Sequence, residues 1–215
     1  MNQIPFSVYD FFGYLACGFF LLIVTGQTLG LGVPLKGNIF LPEGSFILLT
    51  AYIIGQIMAS PSAWLLERHV VRGCIGLPSV HLFQDPRGWR CKLFPGFTTP
   101  LPEVTRQRIL DRARKEEIKE PGEALFLHAL ATVKKTEVTL ARLNAFLVLY
   151  GFCRNMTFVF LVSALLLAWG ITVGDKALNG WWVFFAVIAA IGMFYRYLKF
   201  FRQYAYEVFI TYVET

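Results

Sequence analysis

Five basic side chains crowd one short stretch of the chain: Arg106, Arg108, Arg112, Arg114 and Lys115. On a helix, Arg108, Arg112 and Lys115 fall at i, i+4 and i+7 and form one stripe, with Arg106 and Arg114 on adjoining faces. Such a stripe suits an anion held by several charge-assisted hydrogen bonds: a nucleotide, a single-stranded oligonucleotide or a lipid phosphate. Trp89 and Phe94, beside Arg87, Arg90 and Lys92, offer aromatic faces on which bases could stack. The plainer reading is a solvated face balanced by Glu116, Glu117, Glu120 and Glu123, or a surface turned to anionic lipid.

A second constellation is Arg154-Asn155, inside the stretch YGFCRNMTF at the mouth of a long apolar run. An arginine in hydrocarbon needs a partner or a route to water. The expectation is that Arg154 pairs with a carboxylate such as Asp10 or Glu67, or with helix-end carbonyls, while Asn155 bonds across to a neighbouring helix. Together they would form a structural joint at the membrane edge. A ribonuclease-like Arg-Asn-x-x-x-His reading fails, because MTFVFLV follows Asn155 and supplies no histidine. A third set, Tyr52, Gln56 and Ser60, is spaced to make a polar stripe on an otherwise apolar helix. It would line a pore or hydrogen-bond helices together.

Other chemistry finds little support. His69, Cys74, His81 and Cys91 share one stretch but lack the close pairs of a zinc site. The four cysteines show no paired spacing, and two lie in apolar runs, so no disulfide framework is expected. There is no phosphate-binding glycine loop and no Gly-x-Ser-x-Gly. No catalytic residue, metal or cofactor is therefore expected.

These side chains must be positioned by helices in a membrane. Of 215 residues, 56% are hydrophobic and 16% charged. Four apolar runs stand out: Phe11 to Leu31, Ser45 to Leu66, Asn144 to Gly170 and Trp181 to Leu198. About 20 apolar residues cross the hydrocarbon, and the first three runs meet that length. The fourth is shorter but opens on two interfacial tryptophans. Gly26-x-x-x-Gly30 and Gly170-x-x-x-Gly174 add candidate close-packing motifs. The fold class expected is an all-α integral membrane protein, with four transmembrane helices and a mostly helical cytosolic insertion between helices 2 and 3.

Charge sets the topology. The region from Glu67 to Arg142 carries 14 Lys/Arg and nine Asp/Glu, and basic residues cluster at its membrane edges. The positive-inside rule puts this region and both termini in the cytoplasm. The expected layout is helices 1 and 2 over 1–66, a basic cytosolic domain over 67–143, helices 3 and 4 over 144–198, and a cytosolic tail over 199–215. Within the insertion, Val71 to Pro102 reads as irregular, because glycine and proline punctuate it. EVTRQRILDRARKEEIKE reads as a helix stopped by Pro121-Gly122. A second helix then follows, with Leu125, Ala129, Val133 and Leu140 on one face. It could continue unbroken into the third apolar run.

The pattern Tyr-x-Phe-x-Arg-Asn, Tyr150 to Asn155, resembles that of uncharacterised bacterial four-helix inner-membrane proteins. FSVYDFFGYL, from Phe6, and PLPEVTRQRIL, from Pro100, are similar to segments of the same proteins. Their size and layout resemble transmembrane effectors of anti-phage defence systems of the Hailong type. The resemblance implies a homo-oligomeric channel or membrane-disrupting effector in the bacterial inner membrane, controlled by a nucleotidyltransferase partner system. The basic cytosolic helix would bind the nucleotide or oligonucleotide signal. The alternatives are a non-conducting membrane scaffold that anchors a cytosolic partner, and an enzyme acting at the interface.

Overall fold

In hydrocarbon every backbone N–H and C=O must be satisfied within the protein, and a helix does this inside one segment. The computed structural model follows that rule. It describes residues 8–30, 41–85, 88–118, 121–134, 137–173 and 178–214, and no strand occurs among them. The order is α1 (Val8–Thr28), α2 (Leu41–Ser62), a π-helix (Ala63–Ile75), α3 (Pro78–His81), α4 (Trp89–Leu93) and α5 (Pro95–Thr98). Then come α6 (Glu103–Lys115), α7 (Glu123–Val133), α8 (Glu137–Val173) and α9 (Gly180–Glu214). Three helical stretches are long and apolar enough to cross a membrane: Pro42–His81, Leu140–Val173 and Gly180–Glu214. Gly13–Thr28 is a shorter apolar helix among the described residues.

Several elements run past their apolar cores. α2 starts at Leu41, with Glu43 in its first turn facing the positive end of the helix dipole. Its path continues to Ile75 as a π-helix, so the stretch from Val71 to Ile75 is helical rather than irregular. α9 reaches Glu214, and the segment read as a tail is helical. α7 ends at Val133 and α8 begins at Glu137, so the two helices are separate elements.

The chain divides into two compact units. The first comprises Met1–Glu67 and Gly151–Arg196, the second Arg68–Tyr150 and Tyr197–Thr215. The divisions fall inside the π-helix, α8 and α9.

In the first unit, α1 and α2 touch backbone to backbone. A Cβ at Gly18 would overlap the Ala51 carbonyl, and one at Gly55 would overlap the Tyr14 carbonyl. Small residues allow this approach without a hydrophobic driving force between helices. The closest helix contact among the described residues lies at Gly18 and Gly55. Gly30 adopts a φ of +66° in open space. Gly170 is tight against the side chains of Thr28 and Leu178, and Gly174 lies outside the described residues. Cys17, Leu21, Met156 and Val159 form the core behind this hairpin. Outward lie Phe46 on α2, Leu165 on α8 and Phe185 on α9, each more than half exposed. Large apolar side chains on the outside suit a lipid surround, and Trp169, Trp181 and Trp182 fit its interfacial belt.

The second unit is a packed helical cluster of ordinary polarity. Leu125, Ala129 and Val133 of α7 are fully buried, against Ile109 of α6 and Val208 and Phe209 of α9. α6 stops earlier than Pro121. Glu117 has a φ of +61°, Ile118 N–H donates to the Ala113 carbonyl, and Glu117 N–H donates to that of Arg114. This is a Schellman ending, and Ile118 packs against the buried cluster to which Ala113 belongs.

Candidate functional site

Arg154 sits on α8 with its side chain only 13% exposed. Its guanidinium donates to Glu67 Oε2 at 2.8 Å, across to the π-helix. Its Nε and second terminal nitrogen face Asn155 Oδ1 at 3.4 and 3.2 Å. Of the carboxylates expected for Arg154, Glu67 is the one it meets; the side chain of Asp10 lies outside the described residues. Asn155, expected to reach a neighbouring helix, turns its oxygen to the adjacent arginine instead. The amide oxygen thereby offsets part of the cost of desolvating the cation.

Pro61 prepares this contact. It lies inside α2, one residue before the end, where it removes one N–H from the ladder and its ring crowds the preceding turn. The wider π-register begins two residues later, at Ala63. Ser62, fully buried at the transition, donates from Oγ to the Arg154 carbonyl at 3.1 Å. The same short segment of α8 is thus gripped by both Ser62 and Glu67. Nearby, Phe152 packs on the bare face of Gly13. Two of the segments that carry the resemblance therefore meet in one place. In the second unit Tyr150 stacks on Phe201, ring centroids 5.3 Å apart. The arrangement ties this segment of α8 to the end of α2 and to the π-helix.

The three residues of the polar stripe on α2 have different surroundings. Tyr52 packs on Phe11 and Tyr14 of α1, at centroid distances of 5.0 and 6.4 Å. Gln56 donates to the Tyr52 hydroxyl at 2.9 Å. Ser60 is exposed.

The basic stripe is drawn in several directions. Arg106 donates to Glu103, to Asp85 and to the Phe83 carbonyl. Arg112 pairs with Glu116 at 3.0 Å, donates to the Tyr212 carbonyl, and lies over the Tyr212 ring at 4.4 Å. Arg114 faces Asp111 at 3.5 Å and stays largely exposed. Arg108 and Lys115 are exposed, with no carboxylate at ion-pair distance among the described residues. The stripe thus splits into two structural arginines, Arg106 and Arg112, and three outward cations, Arg108, Arg114 and Lys115.

Sequence reasoning treated Glu116 as a charge balancer and missed what it does. Tyr212 O–H donates to Glu116 Oε2 at 2.6 Å, and His128 Nε2–H donates to the same oxygen at 2.7 Å. Arg112 holds the other oxygen. The Tyr212 hydroxyl foremost, with Arg112 and His128, holds the Glu116 carboxyl down to about 2 from 4.5. One carboxylate so links α6, α7 and the end of α9. Its partners lie 12 and 96 residues away, and no local spacing announces them.

The histidines and cysteines do not assemble. His81 Nε2–H donates to the Ile75 carbonyl at 2.9 Å and closes the end of the π-helix. Among the described residues no three His, Cys, Asp or Glu side chains are placed to hold a metal.

No protein-family model, curated protein or solved structure matches this chain. Its function is read from its own geometry.

Proposed function

We propose that the protein is an oligomeric membrane channel or membrane-disrupting effector, gated by an anionic nucleotide or oligonucleotide. In this reading four helices span the bacterial inner membrane, both termini are cytoplasmic, and the chain serves anti-phage defence beside a nucleotidyltransferase partner. The signal binds at Arg108, Arg114 and Lys115, while Arg106 and Arg112 hold the helix that presents them.

One observation carries the reading: the 13-residue π-helix that follows Pro61 and is tied by Glu67 to Arg154. π-Helices are rare, run mostly as single-turn bulges and concentrate at functional sites. A π-to-α change in this segment would rotate every residue beyond it, which is what a gating element must do. Ligand binding shifts such an equilibrium only by preferring one state, and the three outward cations supply that preference.

The test is dye release from vesicles containing the purified protein, with ATP, a cyclic dinucleotide and short oligoadenylate as probes. Release that depends on a probe, and disappears with Arg108→Glu plus Lys115→Glu, is expected. A monomeric protein in vesicles that stay tight with every probe would sink the proposal.

A second reading, a non-conducting scaffold, draws support from one fact. Gln56 and Tyr52 satisfy each other, and the hydroxyls of Thr28 and Thr157 bond their own helix carbonyls, which leaves these groups little reason to line water. Tight vesicles together with a stable co-purifying protein would favour it.

A further inference from the structure

We infer that α4 and the turn after it form a membrane-docking patch that seats in the headgroup layer of an anionic bilayer. This goes beyond the channel reading and does not depend on it. Trp89 and Leu93 are 57% and 51% exposed, and they lie one turn apart on the same face of α4. Arg90 and Lys92 accompany them on α4, and no carboxylate occurs in the sequence between Asp85 and Glu103. The patch is therefore apolar at its tip, and among the described residues Arg90 and Lys92 have no carboxylate at ion-pair distance. That combination defines an in-plane interfacial segment: tryptophan and leucine enter the headgroup boundary while lysine and arginine meet lipid phosphate.

The patch is held rather than loose. Phe97 and Thr98, just beyond it, are buried, and Arg202 donates to the Thr99 carbonyl at 3.0 Å. The backbone is also prepared for a poorly hydrated setting. Thr98 and Thr99 donate from Oγ1 to the carbonyls of Phe94 and Pro95, at 3.1 and 2.7 Å. The same carbonyls also accept the backbone N–H groups of Phe97, Thr98 and Thr99, so hydroxyls and carbonyls alike have partners, as a lipid interface requires.

An oligonucleotide fits less well. Base binding without sequence preference uses successive aromatic planes. Here Phe97 is buried edge-on against His81 at 5.6 Å, and the exposed neighbour of Trp89 is aliphatic.

The experiment uses the full chain with Trp64→Phe, Trp169→Phe, Trp181→Phe and Trp182→Phe, which leaves Trp89 as the sole tryptophan. It is reconstituted in phosphatidylcholine vesicles with and without phosphatidylglycerol. Brominated phospholipid should quench Trp89 emission about twofold, as expected for an indole at the headgroup boundary. Phosphatidylglycerol should deepen the quenching, and Lys92→Glu should abolish that increment. Emission that brominated lipid leaves untouched overturns the proposal, and so does quenching by oligothymidylate alone. An independent measurement on the unaltered chain is amide exchange over 89–99. It should slow about tenfold when phosphatidylglycerol is present, if basic residues draw the segment to the surface. Equal rates in both vesicle types overturn the proposal even if the four-fold variant does not fold.

Discussion

Arg154 in the first unit and Glu116 in the second each tie helices together, by different means. Arg154 relies on one close carboxylate, Glu67, with an amide beside it, in a segment rich in apolar neighbours. Glu116 divides itself among a phenol, an imidazole and a guanidinium at a half-open surface. The first arrangement places its charge pairing in a single largely buried ion pair. The second spreads it over three, each of which water can partly replace. A concentrated contact fails when one partner goes; a distributed one weakens by degrees.

The sharpest way to break the contrast is Arg154→Leu. Removing one member of a fully buried pair costs about 3–5 kcal/mol, and about 2 kcal/mol is expected here because water reaches Glu67. Thermal unfolding in detergent measures the loss. Arg154→Met with Glu67→Met should recover most of it, since a pair replaced by apolar volume leaves no stranded charge. A double variant as unstable as the single one would mean that the charge pair is not what holds this segment.

Glu116→Gln should cost less, about 1.5 kcal/mol, the lower end for hydrogen bonds to a charged group, because the site is partly solvated. Its signature should be local: faster amide exchange in α7 and at the end of α9, with α1 and α2 unchanged. An equal change in all four helices would erase the distinction between the two sites.

Acid gives a reversible version of the same test. Glu116 is held at about 2 against an unfolded value of 4.5. Its depressed value means that the folded state binds the proton more weakly than the unfolded chain. The stabilisation is therefore complete above about 4.5 and drains away as pH falls toward about 2. Tyrosine near-ultraviolet circular dichroism should follow that window in the native protein, and the window should vanish in Glu116→Gln.

The smallest effect expected is a gain. Glu117 occupies the left-handed position that ends α6, with a φ of +61°. Glu117→Gly should stabilise the protein by about 0.5–1 kcal/mol, because glycine adopts that conformation without a Cβ clash. Equal or lower stability would show that the Glu117 side chain contributes more than its backbone strain removes.

Much of the helical pattern is legible because apolar periodicity is a local property. The buried face Leu125, Ala129 and Val133 follows directly from four-residue spacing. The Arg154–Glu67 contact is legible for another reason: the charge pattern predicts both residues near one membrane edge, and a buried arginine needs a carboxylate. What is not legible depends on distance along the chain. Nothing in RARKEEIKE says that α6 stops at Lys115, since Glu116 and Glu117 are good helix formers. The stop coincides with Glu116 turning to Tyr212 and His128. Likewise Arg106 and Arg112 look free in sequence, yet one reaches Asp85, 21 residues away, and the other the Tyr212 carbonyl, 100 residues away. The continuation of α2 as a π-helix is hidden because Pro61 normally marks an end rather than a change of register.

The glycine contact between α1 and α2 bears on the order in which the molecule is made. Gly18 meets Ala51, and Gly55 meets Tyr14, so every residue needed for the contact has emerged once Gly55 has left the ribosome. The pair requires nothing from α8 or α9. Contacts between segments close in sequence form early, because little chain must be ordered to bring them together. The first two helices are thus suited to associate as a preassembled hairpin. Arg154 and its stretch of α8, synthesised much later, would then arrive at a template already in place, with Ser62 and Glu67 waiting on its edge.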